Sequence, residues 1–192
     1  MIHHLIVPGV GGSDQQHWQS WLQDQLPNSS RVQQNWDRPV LQEWVQQWVS
    51  HVNAIEAPIQ VIAHSFGCLT SLAALVQYPD LQDKITNLIL VAPANPNRFG
   101  ENGFSEAGQD SYFEYFQQLQ LGVSSLMLIS ENDSWLSIED AVHFAEIWQF
   151  PYVNLGQVGH INVASGFGAF PQILPFIEQQ DAATTPQSMP CC

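Results

Sequence analysis

The chain is poor in positive charge. Its 192 residues hold four Lys and Arg against 18 Asp and Glu, a formal charge of −14, which repels phosphate backbones and anionic bilayers alike. Nucleic acid and membrane surfaces are therefore not expected partners. The acidic residues are scattered, as on a solubilising surface. Cysteine is scarce too. Cys68 lies in an apolar stretch and Cys191 and Cys192 end the sequence, which gives neither a disulfide framework nor metal-type spacing. No metal or other cofactor is expected. No apolar run approaches the roughly 18 residues of a spanning helix. The opening "MIHHLIVPGVGG" has no charged n-region and no small-residue cleavage site. The reading is a cytoplasmic protein.

What is present is enough apolar residue, 45%, to build a sizeable core at a length that suits one domain. That domain is expected over 1–180, with the small, polar stretch "DAATTPQSMPCC" from 181 as a flexible tail. Short apolar runs at 3–9, 58–65, 87–93, 124–130 and 150–156 have the length and branching of strands covered on both faces, and "SRVQQNW" at 30–36 makes a sixth. They alternate with amphipathic stretches at 13–26, 39–52, 66–78, 138–149 and 169–179, several behind Ser, Asp or Pro start signals. The rhythm predicts a three-layer α/β/α fold with about six mostly parallel strands. Residues 94–123, rich in Pro, Asn and Gly before a short aromatic helix, read as one excursion above the sheet, so no large cap is expected. The many glutamines read as surface helix filling.

"QVIAHSFGCLTSLAALV" at 60–76 begins as a strand and ends as a helix, with Ser65 at the corner. In an open parallel sheet ligands gather beyond the carboxyl ends of the strands, and a helix starting at Phe66 aims its first amides there. "AHSFG" is the nucleophile-elbow pattern G-x-S-x-G with Ala63 in the first glycine position. The bland alternative is an N-cap serine. A serine hydroxyl becomes a nucleophile only beside a base, and that base usually needs a carboxylate to hold its tautomer. Asp133 follows the 124–130 strand and His160 follows the last one, in the chain order serine, acid, histidine. Asp133 has an alternative as a turn residue and a rival acid in Glu131; His160 has one as an ordinary loop histidine.

Among the other histidines, His3, His4, His51 and His143 read as surface or packed residues. His17 lies close to the first loop and within reach of the site. His64 is expected to point away from the Ser65 hydroxyl, because neighbours on an extended segment face opposite sides. The loop "VPGVGGSDQQHW" lacks both the G-x-G-x-x-G spacing and a Walker lysine. Its better role is a second oxyanion N–H, from Val10, beside that of Phe66; the alternative is a plain strand-to-helix turn.

With these residues in view, the sequence resembles the retinoblastoma-binding protein 9 (YdeN-like) family of small α/β-hydrolases. The matching stretches are "VPGVGGSDQQHWQSWL", "NWDRPVLQEWVQQW", "VIAHSFGC", "LVAPA", "END" and "GHINVASGFGAFP", which cover the chain to about residue 179. The resemblance implies a minimal α/β-hydrolase without a large cap, a Ser-His-Asp arrangement of Ser65, His160 and Asp133, and activity on esters or, in some members, peptides. The expected partner is then a small ester or short peptide. Two other readings stand beside the esterase: a peptidase, and an interaction module that uses Trp18, Trp21, Trp44, Trp48, Tyr112, Phe113 and Tyr115 on the same scaffold.

Overall fold

In the computed structural model, which describes residues 1–105 and 110–178, the apolar runs become strands and the amphipathic stretches become helices. The order is β1 (His3–Val7), α1 (Trp18–Gln25), β2 (Ser29–Arg31), α2 (Leu41–Asn53), β3 (Ile59–Ser65) and α3 (Phe66–Gln77). Then come β4 (Ile85–Pro93), β5 (Phe99–Gly100), β6 (Gly103–Phe104), α4 (Phe113–Gln117), β7 (Ser125–Ile129), α5 (Ile138–Trp148) and β8 (Tyr152–Asn154). Six strands form one sheet in the order β2-β1-β3-β4-β7-β8, parallel at every pairing. β5 and β6 form a separate two-residue antiparallel hairpin within the 94–123 excursion.

Alternation along the strands divides the apolar residues into two cores. Val61, Ala63, Leu88, Leu90, Met127 and Ile129 face α2, α3 and α5 through Trp44, Trp48, Phe66, Leu72 and Phe144. Ile62, Ile89, Val91, Leu126 and Leu128 face the other way, onto Trp18 and Leu22 of α1 and onto Phe170, Ile173 and Ile177. The result is three layers, α/β/α. α3 is apolar all round because it lies beneath other elements; residues 66–75 are all buried.

The element ends differ from the sequence pattern for local reasons. α1 starts at Trp18, not near Ser13, because Asp14 folds back to accept from the Gln16 N–H and the Asp14 carbonyl accepts from the His17 N–H; the chain turns there first, and His17 caps the helix. β2 keeps only three residues, and the last pattern at 169–179 opens as a 3-10 turn over Pro171–Ile173 before residues 174–178 become helical. Two glutamines are buried rather than surface filling. The Gln60 side-chain amide donates to the Ile177 carbonyl, and that of Gln19 spans the Val7 and Ile62 carbonyls. The expected tail from 181 lies outside the described residues. Among those residues no helix is long and apolar enough to cross a membrane.

Candidate active site

β3 runs straight into α3, and the corner is tight. Ser65 has φ 54° and ψ −124°, a conformation that costs a non-glycine residue about 1–3 kcal/mol and persists only where its surroundings hold it. Two small residues permit it. A Cβ on Gly67 would collide with the carbonyl oxygens of Val7 and Pro8, and one on Gly9 would lie 2.7 Å from the Ser65 Cβ. Ala63, in the first glycine position of the elbow pattern, is fully buried with its methyl in the α2/α3 core. That position accepts a methyl where position 67 does not.

The turn delivers the Ser65 hydroxyl to His160. Ser65 Oγ lies 2.8 Å from His160 Nε2, and His160 Nδ1 lies 2.8 Å and 3.0 Å from Asp133 Oδ2 and Oδ1. The His160 and Asp133 side chains are 8% and 3% exposed, so water does not screen the pair. With Nδ1–H donating to the carboxylate, Nε2 is free to accept from the serine hydroxyl. Glu131, the rival acid, turns outward and accepts from the Asn154 amide. Asp133 is held further by the Trp135 N–H at 2.8 Å. The His160 loop is pinned at Asn132, whose Oδ1 accepts from the Gly159 N–H at 2.7 Å and from the Ser130 hydroxyl at 3.1 Å.

His64 does more than point away. Its Nε2–H donates to the His160 carbonyl at 2.9 Å, one residue along from the Trp18 indole N–H, which donates to the Ile161 carbonyl at 2.8 Å. Burial first, then the neighbouring His160 and His17 rings, hold the His64 imidazole well below its ordinary pKa, so it stays a neutral donor. Its ring centroid is 4.9 Å from that of His160, and it lines the same cavity as Ser65. His17 lines it too.

That cavity holds about 140 Å³, well below the roughly 300–1,000 Å³ of sites for drug-sized ligands. Val10 and Gly12 form one wall, Phe99 and Trp135 another, with the Arg98 guanidinium stacked 4.7 Å over the Trp135 ring. Phe66 opens α3, so its N–H has no intrahelical acceptor, and no acceptor among the described residues takes the Val10 N–H. Phe66 directly follows the serine, and Val10 lines the same cavity as Ser65. Among the described residues no group of three or more His, Cys, Asp or Glu is arranged to hold a metal ion.

Ser65, Asp133 and His160 are legible in the sequence as elbow, acid and base at strand ends. His17, expected near the first loop and within reach of the site, lines the cavity, whereas His64, Trp18 and Asn132 carry contacts there that the sequence pattern does not announce. The one available signal is the alternation that sends His64 toward the α1 face. Of the seven aromatics offered as an interaction surface, Trp18, Trp44 and Trp48 are fully buried, Trp21, Tyr112 and Phe113 are half-buried against the cores, and Tyr115 is exposed.

The sequence profile described as serine hydrolase matches residues 4–179. No curated protein matches the chain. Among solved structures, a protein described as a YdeN-like hydrolase from Pectobacterium atrosepticum is 29% identical with a TM-score of 0.82, covering 97% of this chain and 94% of that one. The ydeN gene product of Bacillus subtilis is 17% identical with a TM-score of 0.74, covering 95% and 100%. Est1E from Butyrivibrio proteoclasticus, solved with ferulic acid bound, is 13% identical with a TM-score of 0.62, covering 95% and 90%. The last two show the same α/β-hydrolase fold.

Proposed function

We propose, for a chain that belongs to the serine hydrolase family, that it is a cytoplasmic carboxylesterase-like enzyme that cleaves small esters through an acyl-enzyme on Ser65. The observation that carries this reading is the buried relay of 2.8 Å contacts from Ser65 through His160 to Asp133 at a strained strand-to-helix corner. His160 Nε2 takes the hydroxyl proton as Ser65 Oγ attacks the ester carbonyl carbon. The carbonyl electron pair moves to oxygen, and the Phe66 and Val10 N–H groups hold that charge. Collapse expels the alcohol, which takes the proton back from His160 Nε2 and leaves an acyl-serine. Water, deprotonated by the same nitrogen, repeats the sequence and releases the acid. Asp133 stays ionised, orienting the ring and stabilising the imidazolium.

The small cavity supports short acyl groups over long chains, and the neutral cradle of His17 and His64 offers no countercharge for an anionic substrate. The test is Ser65→Ala. Loss of p-nitrophenyl acetate hydrolysis and of fluorophosphonate labelling is expected, with an unchanged circular dichroism spectrum; labelling that survives removes the serine from the mechanism. A peptidase would use the same steps, and an aminoacyl anilide cleaved faster than a short acyl ester would move the assignment to amides.

A further inference from the structure

One buried donor in the cavity is left over by the mechanism. His17 is only 5% exposed and lines the cavity with Ser65 and His160, yet it takes no part in the relay. Its two ring nitrogens are distinguished by the fold. Nδ1 caps α1 by accepting from the Gln19 N–H at 3.2 Å, so in the neutral ring the proton is on Nε2. Burial, the dominant influence, pushes its pKa down to about 4, which keeps that ring neutral at physiological pH. No acceptor among the described residues takes the Nε2–H, and because Nε2 is not one of the fully buried atoms left without a partner, it keeps some exposure on a ring that lines the cavity. The ring is held in place by the cap, by the adjacent Trp18 ring with centroids 5.6 Å apart, and by His64 at 5.0 Å.

We infer that His17 is a specificity-determining residue whose Nε2–H binds an oxygen acceptor of the substrate beside the scissile carbonyl, so that oxygen-bearing short esters are preferred over their hydrocarbon isosteres. This rests on the esterase reading above and narrows it. Ser65, His160 and the two backbone donors already serve the carbonyl and its oxyanion. A fixed donor with no protein partner, in a space of about 140 Å³, therefore meets a different atom of the substrate. Sites built to hydrogen-bond a substrate group discriminate strongly against analogues that lack it, because the buried donor is then stranded. The three imidazoles in the cavity then divide the work, as His160 moves the proton, His64 holds the His160 backbone and His17 reads the substrate.

The experiment uses the full-length protein and two isosteric pairs. p-Nitrophenyl methoxyacetate against p-nitrophenyl butyrate places the extra oxygen on the acyl side; 2-methoxyethyl acetate against butyl acetate places it on the alcohol side. Each kcat/KM is divided by the hydroxide-catalysed rate of the same ester to remove intrinsic reactivity. The wild type is expected to favour the oxygen ester by about tenfold or more in one pair, which tells the two sides apart. In His17→Asn, whose side-chain oxygen keeps a cap acceptor for α1, that ratio is expected to fall toward one. Ratios within twofold of one for both pairs in the wild type overturn the inference with no variant needed. So does a ratio that persists in a folded His17→Asn, or a variant that loses equally on both members of the pair. Fluorophosphonate labelling of the wild type separates the two readings: a labelled enzyme without discrimination loses only the role of His17, whereas an unlabelled one loses the esterase itself.

Discussion

Among the described residues, two serines are hydrogen-bonded to histidine rings, and they invite comparison. Ser65, at the carboxyl end of β3, lies 2.8 Å from His160 Nε2. Ser30, on the edge strand β2, lies between His3 Nε2 at 2.7 Å and His51 Nε2 at 2.8 Å. By distance alone the second is as well served as the first. It is also accessible, lining a groove of about 830 Å³. The difference lies behind each ring. His160 is backed by a buried carboxylate, whereas His3 is backed by the Asn28 amide oxygen at 3.2 Å, which brings no negative charge to stabilise an imidazolium. Ser65 stands on a strained corner before a helix whose first amides are free. Ser30 lies within an extended strand, in register with Leu5, with no helix N-terminus behind it. A serine–imidazole hydrogen bond alone is thus a structural contact at Ser30, whereas the proposed nucleophile Ser65 combines it with a carboxylate behind the ring and a strained corner at a helix start.

The strongest way to break this contrast is to delete each hydroxyl. Ser65→Ala is expected to lower kcat on p-nitrophenyl acetate by about 10⁶-fold, while Ser30→Ala keeps its turnover and loses about 1 kcal/mol of stability as two partly buried imidazoles lose a partner. Parallel rate and urea-melt measurements check both halves. Next in size is Asp133→Asn, which preserves shape but removes the charge; about a 10⁴-fold loss in kcat is expected, readable with the same ester. A smaller effect falls on His64→Phe. Without its donor to the His160 carbonyl the base loop shifts, and kcat is expected to drop about tenfold to a hundredfold with KM little changed.

An effect of similar size falls on stability against pH. Unfolded His17 takes a proton below its ordinary pKa of 6.5, while the folded residue holds it off until about 4. Its contribution is complete above pH 6.5 and is lost as pH falls toward 4, amounting to about 2 kcal/mol between pH 7 and 5. His64 pulls in the same direction. At the other cluster His51 is lowered as well, by burial and then by His3. Urea melts at pH 7 and pH 5 are expected to show a smaller difference for His17→Asn than for the wild type.

The sheet was legible because buried parallel strands are written as short continuous apolar runs, and five of them fall where the structure has strands; the sixth, expected at 30–36 from a polar stretch, is the short edge strand Ser29–Arg31. The serine corner was legible because its backbone demands small residues in fixed places, and Gly67 answers a collision that can be named. What was hidden depends on distant pairings. Gln19 and Gln60 carry no mark in the sequence of being inside, since their burial is permitted only by distant partners: the Val7 and Ile62 carbonyls for Gln19, the Ile177 carbonyl and the His4 ring for Gln60. The cap at His17 was masked by Ser13 and Asp14, better capping residues by type, which the chain uses instead to turn. The orientation of His64 follows from its neighbour alone, whereas its role comes from a carbonyl 96 positions along the chain.

The assignment of Ser65 as nucleophile is tested most directly by mapping a covalent adduct. The folded wild-type protein treated with a fluorophosphonate is expected to carry one phosphonyl group, found by peptide mass spectrometry on Ser65. An adduct on Ser30 or elsewhere, or a folded protein that takes no label, would contradict it.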